Sequence, residues 1–161
     1  MKELLSALSE LKKTHIIFTM PNADPENKVI ISMIKKFVNQ YNNSKLYSSL
    51  GQLRYLSTIL YVDCVIGNSS SGIVEAPTFN IGTINIGNRQ KGRIKSQSVI
   101  DCDPEEKSIL KAISILYSKR FQKILKNIEN PYGNGRASKK IVSILKNESI
   151  PNSLKKKFYD L

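Results

Sequence analysis

Three consecutive serines, Ser69, Ser70 and Ser71, stand between Gly67 and Gly72 in the run Val65–Pro77 (VIGNSSSGIVEAP), and Glu75 follows three residues later. Serine hydroxyls in a small-residue turn are hydrogen-bond donors, and an acceptor-only carboxylate close behind them can hold a diol such as a ribose. Val65 and Ile66 read as a buried strand, and the residues after the turn read as a short helix with Glu75 in its first turn. At such a junction, free backbone N–H groups and the positive end of a helix dipole point at one spot, which suits a phosphate or pyrophosphate. The run predicts a nucleotide-binding module.

Two sharper chemistries fail on the residues present. Gly67 and Gly72 have the Gly-x-x-x-x-Gly spacing of a P-loop, but Ile73 and Val74 stand where that loop needs Lys and then Ser or Thr. The dinucleotide pattern Gly-x-Gly-x-x-Gly is also absent. A nucleophile elbow wants Gly-x-Ser-x-Gly, and Asn68-Ser69-Ser70-Ser71-Gly72 lacks the first glycine. The sole histidine, His15, lies upstream, whereas that fold places its base last; it reads as a surface residue flanking a strand.

Several neighbouring residues have two readings. Glu75 is either a ribose ligand or a helix-terminal carboxylate; a capping box would need Ser or Thr where Gly72 stands. Gly72 lacks a side chain, which lets a ligand approach the backbone. Asp24 fits an N-cap with Pro25 at the first helical position, leaving Asn22 as the better candidate for ligand contact. Arg89, just past a strand end beside Gly87, is either a loop cation or a partner for a phosphate.

The elements that must position these residues follow from periodicity. Leu4, Leu5, Leu8 and Leu11 mark a first helix, followed by a strand at Ile16–Thr19 and a polar loop at Pro21–Glu26. A helix then runs to Tyr41, a short strand lies near Lys45–Tyr47, and a helix spans about Gln52 to Tyr61. Strands follow at Asp63–Ile66, Thr83–Ile86 and around Val99-Ile100. Beyond Pro104 the pattern is helical: Pro104–Tyr117, Lys119–Asn127 and Arg136–Lys146. Strands alternating with helices, without hairpin signals, predict one α/β domain over residues 1–161, a Rossmann-like doubly wound parallel sheet. Such sheets bind ligands at the carboxyl ends of their strands, where the loops after Thr19, Ile66 and Ile86 bring Asn22 and Asp24, the serine turn with Glu75, and Arg89 toward one crevice.

Composition narrows the partners. The net charge of +12 invites an acidic partner, yet the lysines are spread along the chain and aromatic residues interleaved with basic ones are missing. Neither a nucleic acid nor a membrane is expected as partner, and no segment approaches the roughly 20 apolar residues of a membrane span. Cys64 and Cys102 read as small apolar members of strands, which suits a reducing, cytoplasmic location and offers no metal cluster.

At these residues the chain resembles a known family. Val65–Asp101 (VIGNSSSGIVEAPTFNIGTINIGNRQKGRIKSQSVID) is similar to the C-terminal half of hydrolysing UDP-N-acetylglucosamine 2-epimerases of the sialic-acid pathway. The likeness extends to PNAD at Pro21–Asp24, LGQLRYLS at Leu50–Ser57, YGNG at Tyr132–Gly135 and LKKKF at Leu154–Phe158. It implies the C-terminal half of a GT-B-like two-domain architecture, with residues 135–161 forming a helix and tail that pack toward a missing N-terminal domain. It also implies UDP and UDP-GlcNAc as ligands: Ser69 and Ser70 at the pyrophosphate, Ser71 and Gly72 completing the turn, Glu75 at the ribose and Arg89 in the nucleotide-sugar site. Asn22 and Asp24 match the family's Pro-Asn-x-Asp loop. The ligand-binding histidine that the family's animal enzyme has just before the Leu50–Ser57 block has no counterpart, since serines and Leu50 stand there.

The implied reaction is elimination of UDP from UDP-GlcNAc with loss of the C2 proton. Water then adds to the glycal with inversion at C2, releasing N-acetylmannosamine, with no metal or redox cofactor. The acid and base would lie on the absent domain, so this chain alone is expected to be inactive; the complete protein is expected to be a homo-oligomer. Three other readings remain: the same reaction on a UDP-2,4-diacetamido sugar, the donor-binding half of a UDP-sugar glycosyltransferase, and a stand-alone nucleotide-binding module.

Overall fold

Every strand pairing in the computed structural model is parallel. The model describes residues 1–20 and 27–148. Asn22, Asp24 and the Pro21–Glu26 loop, like the Leu154–Phe158 segment, lie outside the described residues. Strands β1 (Ile16–Thr19) and β2 (Ser44–Tyr47) form one ladder, with Ile16 opposite Ser44. Strands β3 (Cys64–Gly67), β4 (Gly82–Ile86) and β5 (Val99–Cys102) form a second, with β4 in the centre. Strands joined in parallel need a crossover, which α2 (Asn27–Gln40) supplies between β1 and β2, while α3 (Gly51–Ile59) leads from the first ladder to the second.

Helix α1 (Lys2–Ser9) joins the two ladders by packing. Its Leu5 and Leu8 share a buried cluster with Ile16 and Phe37, while Ala7 belongs to a second cluster built on Ile84. Leu4 and Leu11 touch both clusters. The expected single sheet is therefore two hydrogen-bonded ladders among the described residues, bridged by leucines rather than by a fourth strand pairing. The Rossmann-like alternation of parallel strands and helices holds.

The larger cluster lies under the candidate site. Helix α5 (Glu106–Leu116) contributes Ile109, Ala112, Ile113 and Leu116, spaced so that one face meets β4. Helix α6 (Lys119–Leu125) adds Phe121 and Leu125, its first turn capped by Ser118 Oγ accepting from the Phe121 N–H at 3.2 Å. Gly82 lets this layer approach, because a Cβ there would collide with Leu116 and crowd Phe121. Cys64 and Cys102 are free and pack against this cluster; burial, with the Asp63 charge beside it, pushes the Cys64 thiol up to about 12. His15 is exposed just ahead of β1, as its sequence position suggests.

Helix α7 (Ala137–Asn147) differs from the rest. None of its residues is buried, and Ile141, Val142, Ile144 and Leu145 face solvent, Leu145 at 74% exposure. No described helix is long and apolar enough to cross a membrane.

Candidate functional site: a serine turn braced by Tyr55 and a cationic loop

Gly67 ends β3 at φ +145° and Gly87 follows β4 at φ +77°, conformations that L side chains rarely adopt. These glycines turn the chain off the carboxyl ends of two adjacent strands, and the serine turn and the Arg89 loop begin there. Asn68, Ser69 and Ser70 are exposed, and the Ser70 hydroxyl caps nothing in the helix behind it. The N–H groups of Ser70, Ser71 and Gly72 precede the first intrahelical bond, which runs from Ile73 and Val74 to the Ser70 carbonyl; Ser69 Oγ accepts the Ser71 N–H at 3.3 Å.

The helix itself, α4 (Ser71–Val74), is a single turn, and Glu75 closes it instead of lying in its first turn as the sequence suggested. The cause is Pro77: it has no N–H for the Ile73 carbonyl, and its ring disfavours helix at the residues before it. The chain tightens instead into a 3-10 turn, Ala76–Phe79. A one-turn helix carries little macrodipole, so hydroxyls, N–H groups and cations must supply the attraction for an anion.

Ending the helix at Glu75 gives the carboxylate a defined partner. Ser71 Oγ donates to Glu75 Oε2 at 2.5 Å, and the Tyr55 hydroxyl on α3 hydrogen-bonds the same Ser71 oxygen. Because the single Ser71 proton goes to the carboxylate, Tyr55 is the donor in a chain Tyr55–Ser71–Glu75. Burial raises the Tyr55 phenol, opposed by its bond to Ser71 and reinforced by the Glu75 charge, so it stays a protonated donor at neutral pH. Glu75 is half-buried and its Oε1 has no protein donor among the described residues, which leaves one oriented acceptor.

The loop after β4 is tied to this turn. Gln90, buried at 3% exposure, donates from Nε2 to the Asn68 carbonyl at 2.8 Å. Arg89 beside it is exposed and pairs with no carboxylate among the described residues. Farther along, Lys95 Nζ meets both oxygens of Asp101 at 2.7 and 2.8 Å, and the buried Asn85 donates to Asp101 Oδ1 at 2.6 Å. Burial alone would raise the Asp101 carboxyl; the bonds from Lys95 and Asn85 and the lysine charge outweigh it and leave it below the usual carboxylate range. A pocket of about 350 Å³ opens around Lys91, Arg93, Lys95 and Asp101. Three cations against one acid make its rim positive, as an anionic ligand requires.

The structure thus brings Ser69, Ser70, Ser71, Gly72 and Glu75 onto one turn and sets Arg89 on the adjoining loop. Gly72 has a use other than admitting a ligand. A Cβ there would lie 2.5 Å from Thr83 Cγ2, and Thr83 Oγ1 donates to the Gly72 carbonyl at 2.6 Å, so the missing side chain lets α4 seat on β4. Gly72→Ala is expected to destabilise the chain by about 1–3 kcal/mol, since the stiff Thr83 side chain cannot yield cheaply. Thermal melting checks this; an unchanged melting temperature would show that the helix can move off the strand at no cost.

A sequence model of the UDP-N-acetylglucosamine 2-epimerase family matches residues 1–146. The chain belongs to this family. Among its relatives, it is 44% identical over 163 residues to the GDP/UDP-N,N'-diacetylbacillosamine 2-epimerase (hydrolyzing) of Campylobacter jejuni, covering 99% of this chain and 42% of that protein. It is 40% identical over 161 residues to the polysialic acid biosynthesis protein P7 of Escherichia coli, covering 99% of this chain and 41% of that protein. The fold matches the crystal structure of the Neisseria meningitidis UDP-GlcNAc 2-epimerase bound to UDP-GlcNAc with a TM-score of 0.69 at 23% identity, covering 91% of this chain and 41% of that one. This member of the UDP-N-acetylglucosamine 2-epimerase family therefore spans about two fifths of the length of the curated relatives it matches.

Within the epimerase-family chain, sequence reading missed Tyr55, Gln90, Asn85 and Asp101 as organisers of the site. Tyr55 lies in LGQLRYLS and Gln90 and Asp101 in the long central block, so the quoted segments contained them. Spacing along one chain gives no sign that a tyrosine on one helix will meet a serine sixteen residues on.

Proposed function

We propose that this chain is the nucleotide-holding half of a hydrolysing UDP-sugar 2-epimerase. In this reading Ser69 and Ser70 donate to the diphosphate, Arg89 offsets its charge, and Glu75 Oε1 accepts from a ribose hydroxyl. The observation that carries the reading is the Tyr55–Ser71–Glu75 chain, which fixes one carboxylate oxygen and leaves the other without a protein donor among the described residues, beside the Ser69 and Ser70 hydroxyls, of which Ser69 only accepts. UDP departs from C1 as the C2 proton is lost, and water then adds across the glycal, its oxygen to C1 and a proton to C2 on the face opposite the one lost, which releases an N-acetylated 2-epimer. Donors preset around the departing diphosphate stabilise the charge that develops there. The groups that move protons lie on the other half of the protein, and the apolar face of α7 packs against that half.

The leading substrate is UDP-GlcNAc, giving N-acetylmannosamine as a sialic-acid precursor in the cytoplasm; kinship with a polysialic acid biosynthesis protein supports it. The 44% identical relative, named for a diacetylbacillosamine sugar, favours a second reading with a UDP-2,4-diacetamido sugar. Incubating the complete protein and this chain separately with each nucleotide sugar tests the assignment. The complete protein is expected to release UDP and a free 2-epimer from one of them, and the chain alone from neither. Turnover by the chain alone, or an acceptor-dependent glycoside from the complete protein, would overturn it.

A further inference from the structure

We propose that Asn130 and Tyr132 are positioning residues that hold the serine turn and the Arg89 loop in one frame, an inference resting on the nucleotide site described above. Asn130 spends its whole side-chain amide on this task. Its Nδ2 donates to the Val74 carbonyl at 2.9 Å and to Thr78 Oγ1 at 2.7 Å, and its Oδ1 accepts the Tyr132 N–H at 2.9 Å. Val74 and Thr78 flank Glu75, one on α4 and one on the 3-10 turn, so Asn130 clasps the backbone that aims the carboxylate.

Tyr132 carries the clasp across to the other wall. Its hydroxyl donates to the Ile94 carbonyl at 3.0 Å, on the loop that bears Arg89, which Gln90 also ties to Asn68 and Lys95 to Asp101. Asn130 and Tyr132 thus span two segments separated from them by 56 and 38 residues. Ile94 is 68% exposed and Tyr132 45% exposed, so the bond between them adds little to the core; its effect is to restrict where the loop can sit. Rigid placement matters because a charge or donor displaced from the diphosphate loses its bond to it.

The test is UDP titration by calorimetry on this chain, with Tyr132→Phe, Arg89→Ala and the double variant, alongside melting curves. Tyr132→Phe keeps the ring and is expected to weaken UDP by roughly three- to tenfold, the worth of one hydrogen bond, with the melting temperature unchanged. In the Arg89→Ala background the same substitution is expected to have no effect, because its influence passes through Arg89. Asn130→Asp, which keeps the acceptor for Tyr132 and loses both donations, is expected to weaken UDP, and to lose its effect when Glu75→Ala is present. Equal losses with and without the partner substitution, or wild-type affinity for Tyr132→Phe, would overturn the positioning role while the nucleotide site stands. A folded wild-type chain that takes up no UDP would remove both.

Discussion

Replacing Glu75 by Ala is expected to weaken UDP binding by this chain about ten- to hundredfold, the cost of losing a hydrogen bond to a charged acceptor. The carboxylate is held on one oxygen by Ser71, which is held in turn by Tyr55, so the ligand meets an acceptor whose orientation is already fixed. The expected loss comes from both the missing charge and the released serine. Glu75→Gln separates the two: it keeps an oxygen for Ser71 and is expected to recover part of the affinity. Because Glu75 is half-buried at the end of a one-turn helix, its removal should leave the melting temperature within a few degrees of the wild type. Unchanged UDP affinity in Glu75→Ala would exclude the ribose assignment.

A second large effect is expected at α7, and it should appear only in the complete protein. Ile141, Ile144 and Leu145 recur at helical spacing and are already in solvent, so Ile141→Asp with Leu145→Asp costs this chain little stability and no UDP affinity. If that face is buried against the other half, the same pair places two carboxylates in an apolar contact, at a cost of several kcal/mol. Epimerase turnover in the complete protein is then expected to fall at least tenfold. Circular dichroism and UDP titration on the chain, run beside turnover assays on the complete protein, check both arms. Full turnover in the double variant would mean that α7 does not dock there.

How far the sequence could be read depends on the range of the interaction. Elements set by local periodicity were legible: α1, α5 and the five strands fall within a residue or two of their patterns. The serine turn was legible as well, because strand end, small residues and carboxylate are contiguous. Two features depend on one neighbour that the local pattern does not reveal. The local pattern sets Glu75 in the first turn of a continuing helix, and Pro77 stops that helix. Gly72 has a second use that its local sequence does not show, since Thr83 on β4 fills the space its Cβ would take. The partners of Ser71, Asn68 and Asp101 come from other elements, and long-range hydrogen bonds leave no spacing signal in a single chain. The division of the sheet into two ladders was illegible for the same reason: the leucines of α1 that bridge them read simply as an apolar stripe.

The nucleotide site requires that this chain hold UDP by itself. Titrating it with UDP by calorimetry should give a saturable heat, weaker than that of the complete protein because only one wall of the cleft is present. Ser70→Ala and Arg89→Ala should each reduce it, and uridine, which lacks the diphosphate, should give less. A chain that is folded by circular dichroism yet gives no heat at millimolar UDP would contradict the assignment of the serine turn.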